Sequence, residues 1–237
     1  MSLVQTIDRL EYPESDGKPM GETDLHRDWM VRILEVLRFR YRGQRVYVAS
    51  NLLVYYEEGE PSQFIVPDDF VVTDCSPRRR RTYKTWEEGK VPEVVFEVTS
   101  RSSRRQDQVF KPQVYVCLGV PEYFLYDPTA EYLKPALQGY RLVRRRYTRI
   151  KADAKGAVAC RQLDLTLRLE QGDLVMYDGS SGERLLSPLE AAEAAHEAEK
   201  AARKAEKTAR EAAEARAAEL ETEVRRLRAE LSRRRKA

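Results

Sequence analysis

Between Thr23 and Tyr41 the apolar residues Leu25, Trp29, Ile33, Leu34, Val36 and Leu37 recur at helical spacing. They predict one amphipathic helix, with Thr23 or Asp24 as its N-cap and Gly43 as its stop. The twenty residues before it lack periodicity and read as an extended lead-in. After it the pattern shortens to that of strands. Arg45–Ser50 and Leu52–Glu57 are strand-like and run into the turn-prone EEGEPS. FIVPDDFVV at 64–72 is a β-branched and aromatic run interrupted by Pro67 and two acids, and PRRRRTYKTWEEGK at 77–90 reads as a polar loop. In VPEVVFEVTS, the near-continuous Val94, Val95, Phe96 and Val98 predict a strand buried on both faces. Residues 103–118 read as a helix closed by Gly119, and EYFLYD as a short strand ended by Pro128. GYRLVRRRYTRI and AVACRQLDLTLRLE complete the series as β-like pieces up to about Arg184. The order predicts an α/β fold with a mixed β-sheet flanked by helices.

From Ser187 onward the pattern changes again. The chain becomes almost entirely Ala, Glu, Lys and Arg, without Gly, Phe, Tyr or Trp. Leu220, Val224, Leu227 and Leu231 stand at alternating four- and three-residue steps, the spacing of a heptad seam, and alanines continue it upstream with a slip in phase. Two readings stay open: a long solvated helix held by Glu–Lys and Glu–Arg pairs, or a coiled coil through which the chain self-associates. The expected division is a domain over 1–186 and a helical tail over 187–237.

Composition narrows the chemistry. The tail carries 13 Lys and Arg against 11 Asp and Glu, the preceding residues 29 against 28. The globular part is therefore almost neutral, and net charge alone does not point to nucleic acid. Cys75, Cys117 and Cys160 are far apart, which argues against a disulfide framework or a zinc site. With His26 and His196 as the two histidines, histidine-rich metal chemistry is excluded. No apolar run reaches the ~20 residues of a membrane span, and the acidic, early-broken start MSLVQTIDRLEYPE is wrong for a signal peptide. The expectation is a soluble, cytoplasmic protein.

Acids rarely interrupt buried strands, because desolvating a carboxylate costs several kcal/mol (roughly) unless it is paired or binds a cation. Here it happens twice: Asp68 or Asp69 inside FIVPDDFVV, and Glu97 between Phe96 and Val98. Two such carboxylates on neighbouring strands can hold a hard divalent cation through oxygen, or each can salt-bridge to a nearby arginine. Lys111, fourteen positions after Glu97, opens the apolar part of the following helix. Pro112 behind it disfavours the α conformation for Lys111, so the helix is expected to begin or kink there.

Together, PD at 67–68, EVTS at 97–100, DQVFK at 107–111, Tyr115, LGVPEYFLYDP at 118–128 and YLKPALQGYRL at 132–142 resemble the Uma-two family of restriction-endonuclease-like proteins, from about Met20 to Leu186. The resemblance implies a restriction-endonuclease-like core of the PD-(D/E)xK nuclease superfamily. It places the motif aspartate on Asp68 and the glutamate on Glu97. Thr99 stands where the usual lysine would be, and Lys111 takes that role from the helix. The implied activity is Mg²⁺- or Mn²⁺-dependent endonucleolytic hydrolysis of DNA by in-line attack of water. Asp68, Glu97 and the Val98 carbonyl would bind the metal, and Lys111 would act on the water or the transition state. Tyr115 matches the tyrosine that follows the helical polar residue in RecB-like nucleases.

Several residues carry two readings. Glu22 and His26, one turn apart, reach the metal site or form a surface pair. Asp107 orients Lys111 or caps the helix. Arg78, Arg79, Arg80 and Arg81, with Tyr83, Lys84 and Trp86 behind, and Arg101, Arg104 and Arg105 are candidate phosphate contacts beside the two acidic motifs; Arg144–Arg146 reads as a solvated stretch. The alternative to a nuclease is a weakly active or inactive nucleic-acid-binding or scaffold protein of the same fold, assembling through its C-terminal helix. A homodimer suits double-strand cutting.

Overall fold

The computed structural model describes residues 11–17 and 23–234. Two compact units divide at Ser187/Pro188.

The first unit opens with helix α1 (Asp24–Arg40), whose N-cap is Thr23: its hydroxyl accepts the His26 N–H at 3.3 Å, a cap worth about 1 kcal/mol. Strands β1 (Val46–Ser50), β2 (Val54–Tyr55), β3 (Phe64–Ile65) and β4 (Asp69–Thr73) follow. Pro67 splits the 64–72 run into β3 and β4, which join different sheets, as befits a residue that cannot donate to a ladder. The segment expected to be a loop over 77–90 contains β5 (Tyr83–Lys84) and a short helix α2 (Thr85–Glu88). Tyr83 and Lys84 pair with the buried Val54 and Tyr55, a tertiary contact that local polarity hides. Strand β6 (Val94–Val98) leads to a π-turn (Gln106–Phe110), helix α3 (Lys111–Leu118) and strand β7 (Glu122–Tyr126). Strands β8 (Leu137–Val143), β9 (Arg146–Arg149), β10 (Val158–Cys160), β11 (Leu165–Glu170) and β12 (Asp173–Asp178) complete the unit.

Six strands form the central sheet in the order β1-β4-β6-β7-β8-β9, and only β6 and β7 run parallel. That parallel pair requires a crossover, which the π-turn and α3 provide. One face packs against α1 and the antiparallel sheet β10-β11-β12 through Ile33, Leu37, Val71, Phe96, Phe124 and Leu167. Gly139 on β8 permits this close approach, since a Cβ there would stand 2.6 Å from Val158 Cγ1. The opposite face packs against α3 and the small sheet β3-β2-β5 through an aromatic cluster containing Tyr47, Phe70, Tyr83, Tyr115 and Tyr123. The result is a mixed β-sheet flanked by helices and two smaller sheets.

The second unit is helix α4 (Pro188–Arg234). Leu220, Val224, Leu227 and Leu231 are exposed along it, and i,i+4 pairs such as Arg203–Glu199 and Arg210–Glu214 decorate it. No helix among the described residues is long and apolar enough to cross a membrane.

Candidate active site

Strand alternation decides which acids meet. On β6, Val94, Phe96 and Val98 lie in the core beneath α1, whereas Val95 lies in the core beneath α3. Glu97 shares the parity of Val95 and faces α3. On β4, Val71 faces α1 and Phe70 and Val72 face α3. Asp68 has the parity of Phe70 and joins Glu97, whereas Asp69 has that of Val71 and turns away. Asp69 is fully buried, and burial together with the neighbouring Asp68 pushes its pKa far up.

The Lys111 ammonium sits among three carboxylates: 2.6 Å from Glu97 Oε2, 3.3 Å from Asp107 Oδ1 and 3.8 Å from Asp68 Oδ1. The π-turn makes this placement compatible with Pro112. Lys111 keeps right-handed helical angles (φ −58°, ψ −42°), and its N–H donates to Gln106 O, five residues back. The α-helix begins at Lys111, as expected, and the wider turn ahead of it absorbs a proline that would cost about 3 kcal/mol in a regular helix interior. Asp107 lies inside the turn, buried, one turn before Lys111; it faces the ammonium and does not cap a helix.

Hydrogen bonds hold the Asp68 and Glu97 carboxylates, whereas that of Asp107 forms an ion pair with the Lys111 ammonium. Asp68 Oδ2 accepts the Val98 N–H at 2.7 Å and contacts His26 Nε2 at 3.1 Å. His26 is buried, so its surface-pair reading is corrected; Glu22 lies outside the described residues. Glu97 Oε2 also accepts the Asp68 N–H at 3.2 Å, and Glu97 Oε1 accepts the Tyr115 hydroxyl at 2.5 Å. Tyr123 donates its hydroxyl to the Asp107 carbonyl. Thr99 is buried beside the group, its N–H donating to Tyr126 O at 2.7 Å. The site is nearly closed. Among Lys111 and the three carboxylates, only the Asp68 and Lys111 side chains keep measurable exposure, 10% and 14% against 0% for Glu97 and Asp107, so solvent reaches the cluster past those two.

Charge is unbalanced. Burial pushes the Glu97 and Asp107 pKa values up despite Lys111. Burial acts the same way on Asp68, but Lys111, His26 and the Val98 N–H outweigh it and lower its pKa. Burial opposes the charge of Lys111, yet the surrounding carboxylates raise its pKa. Asp68, Glu97 and Asp107 against one lysine leave excess negative charge that a proton or a further cation satisfies. The donors are all oxygen, which suits Mg²⁺ or Mn²⁺. Among the described residues no group of three or more His, Cys, Asp or Glu side chains is placed to hold a metal ion by itself. Two carboxylates and a backbone carbonyl fit an ion that keeps part of its water.

The arginine clusters separate on inspection. Arg80 is committed inside the fold. Its Nε and NH2 donate to the two Glu88 oxygens at 2.7 Å each, and its guanidinium lies 4.1 Å from the Tyr47 ring centre. This removes it from the phosphate-contact set, because both faces of its charge are used. Arg78 pairs with Glu88 at 2.8 Å and Arg81 with Glu14. Arg79, Arg101, Arg104 and Arg105 are exposed, with Arg104 and Arg105 near the rings of Tyr132 and Phe110. Asp127, directly after β7, escaped sequence reading. Its buried carboxylate collects the N–H groups of Thr129, Tyr132 and Leu133, and the DPT run at 127–129 is the turn signal that announces it.

Comparison with curated proteins finds no match. Among solved structures, one similar chain is described as a "putative nuclease belonging to DUF820 from Anabaena variabilis"; the TM-score is 0.45 at 15% identity, covering 61% of this chain and 76% of that one. The family model named Uma2 and described as "Putative restriction endonuclease" matches residues 3–171. That match spans well over half of the sequence, and the chain belongs to the Uma2 family.

Proposed function

We propose that this chain is a divalent-metal-dependent endonuclease that hydrolyses DNA phosphodiester bonds at Asp68, Glu97 and Lys111. The observation that carries the reading is the Lys111 ammonium 2.6 Å from Glu97 Oε2 and 3.8 Å from Asp68 Oδ1, in a nuclease-type family. Mg²⁺ or Mn²⁺ would be held by the Asp68 and Glu97 carboxylates and the Val98 carbonyl. When bound, the ion polarises the phosphodiester and lowers the pKa of water. Lys111 orients the attacking water and offsets charge that develops on the phosphoryl oxygens. His26 fixes the Asp68 carboxylate, Tyr115 fixes that of Glu97, and Asp107 keeps Lys111 protonated and in place. Residues 1–186 are the catalytic domain, acting on DNA in the cytoplasm.

The tail is proposed as the assembly element of a homodimer. With Val224 and Leu231 at a and Leu220 and Leu227 at d, the Val224 layer has the β-branched a residue and both d layers the leucine that favour two-stranded coils. In a parallel pair, g faces e of the next heptad on the partner helix. Arg216 then meets Glu221, and Glu223 meets Arg228. Both contacts join opposite signs, whereas an antiparallel pair makes neither.

The test is cleavage of plasmid and single-stranded DNA with Mg²⁺ or Mn²⁺, beside Asp68→Ala. Metal-dependent cutting that Asp68→Ala abolishes supports the reading. Cutting that survives the substitution removes the site assignment. Absence of both cutting and metal binding transfers the assignment to a catalytically silent nucleic-acid-binding protein.

A further inference from the structure

The central sheet ends on β1, whose outer edge pairs with no strand among the described residues. Along that edge runs a cleft of about 620 Å³, walled by the C-terminal half of α1 and the loop before β5. Every charged residue lining it is an arginine: Arg38, Arg42, Arg79 and Arg80. Arg80 is neutralised by Glu88, but among the described residues no carboxylate forms an ion pair with Arg38, Arg42 or Arg79. A globular part that is nearly neutral overall thus concentrates unpaired positive charge in one groove.

The groove touches the candidate active site through Ser50. This residue lines the cleft and pairs with Asp69 in register. Its hydroxyl donates to the Asp68 carbonyl at 2.7 Å, and the next residue, Asn51, donates its N–H to the same oxygen at 3.0 Å. Val46–Ser50 rises about 13 Å at ~3.3 Å per residue, so the cleft extends from the Asp68 end of the sheet over several times the width of a phosphate. Arg38 donates to the Val48 carbonyl through Nε and NH2 at 3.1 and 3.0 Å. That bond covers an edge carbonyl against pairing with another strand and leaves positive charge facing the groove.

We propose that this cleft holds the sugar-phosphate backbone of the nucleic acid and delivers it to Asp68. The inference rests on the nuclease reading for its substrate, but it stands on a different set of residues. Arg42 and Arg79 neutralise phosphates, and edge-strand N–H groups of β1 donate to phosphate oxygens. Leu34 and Leu52 supply an apolar floor. Contacts of this kind read charge and not sequence.

The experiment measures binding of a short fluorescein-labelled DNA duplex by anisotropy, in EDTA so that nothing is cut, over a series of salt concentrations. The double variant Arg42→Ala/Arg79→Ala is compared with Arg144→Ala/Arg145→Ala, which removes the same charge from the exposed β8–β9 turn. The cleft variant is expected to weaken binding about tenfold and to flatten the slope of log K against log salt by about two, with little change in the turn variant. Equal loss in both variants, or none in either, overturns the cleft assignment. Metal-dependent cleavage by the unmodified protein is scored separately. Cleavage with unchanged binding sinks the cleft and leaves the nuclease reading standing; reduced binding without any cleavage does the reverse.

Discussion

Lys111 and Glu97 meet at 2.6 Å although fourteen residues and a complete change of secondary structure separate them. The contact depends on the π-turn ahead of Lys111, which admits Pro112 and still leaves the lysine with helical angles. It also depends on strand alternation, which turns Glu97 toward α3 and not α1. Lys111→Ala removes the ammonium and leaves the Asp68 and Glu97 carboxylates. Cleavage is expected to fall by about 10²–10⁴-fold, while Mg²⁺ or Mn²⁺ still binds, as titration calorimetry would record. Wild-type cleavage by this variant would show that the lysine has no part in the reaction.

Tyr115 positions Glu97, and its hydroxyl is the sole hydrogen-bond donor to Glu97 Oε1 among the described contacts. A donor to a carboxylate favours the charged form, so Tyr115→Phe should raise a Glu97 pKa that burial already lifts. On the proposed reading the charged form would be the metal ligand, so the acid limb of the pH–cleavage profile is expected to move to higher pH. Activity at neutral pH should fall about tenfold and recover toward wild type in more alkaline buffer. A uniform loss at every pH would instead mark a purely structural role.

The helix boundaries of α1, the buried strand β6 and the pairing of an acid on each of two strands follow from local pattern, because hydrophobic period and caps are written in neighbouring residues. Asp68 against Asp69 could not be separated by pattern alone: both stand in one apolar run, and only the register with β6 and the alternation of β4 assign them to opposite faces. The His26–Asp68 contact spans 42 residues and leaves no local mark. The Arg78–Arg81 run shows the opposite failure. Four consecutive arginines look equivalent in sequence, yet Arg80 is spent on Glu88 and Tyr47, Arg78 shares Glu88, Arg81 pairs with Glu14, and Arg79 lines the cleft beside β1. Lys111 was legible as a residue but not as a geometry, since the π-turn is a response to packing that Pro112 alone does not specify.

Asp127 supports a stability prediction independent of chemistry. Burial alone would raise its pKa, but N–H donors from Tyr132, Leu133 and Thr129 and the Thr129 hydroxyl outweigh burial and hold it below the ordinary carboxylate value. A folded pKa below the unfolded one, about 3.9, contributes stability above that value and loses it as pH falls through the folded pKa. Asp127→Asn should therefore destabilise the protein by roughly 1–3 kcal/mol at neutral pH. The gap between variant and wild type should narrow below about pH 4, which urea denaturation across pH would reveal. A gap constant with pH would mean that the lost contacts do not depend on the carboxylate charge.

The tail yields a prediction of direction as well as association. Its four apolar seam positions are exposed in the single chain, Leu227 by 50% and Leu231 by 61%, so a partner helix is required to bury them. Each seam leucine removed from water on both strands contributes about 1.5–3 kcal/mol, enough for three leucine layers and one valine layer to offset part of the association entropy. A parallel register would set each Val224 opposite its own copy. Val224→Cys should then form an inter-chain disulfide under mild oxidation, because a-position Cβ atoms of a parallel pair lie within bridging range. An antiparallel pair would set residue 224 against 227 and give little cross-linking from the single cysteine, although a double variant with Leu227→Cys would cross-link. Leu227→Lys should shift the protein to monomer in light-scattering measurements by placing like charges at the seam. Dimer that persists in Leu227→Lys would place the interface in the first unit and return α4 to the role of a solvated helix.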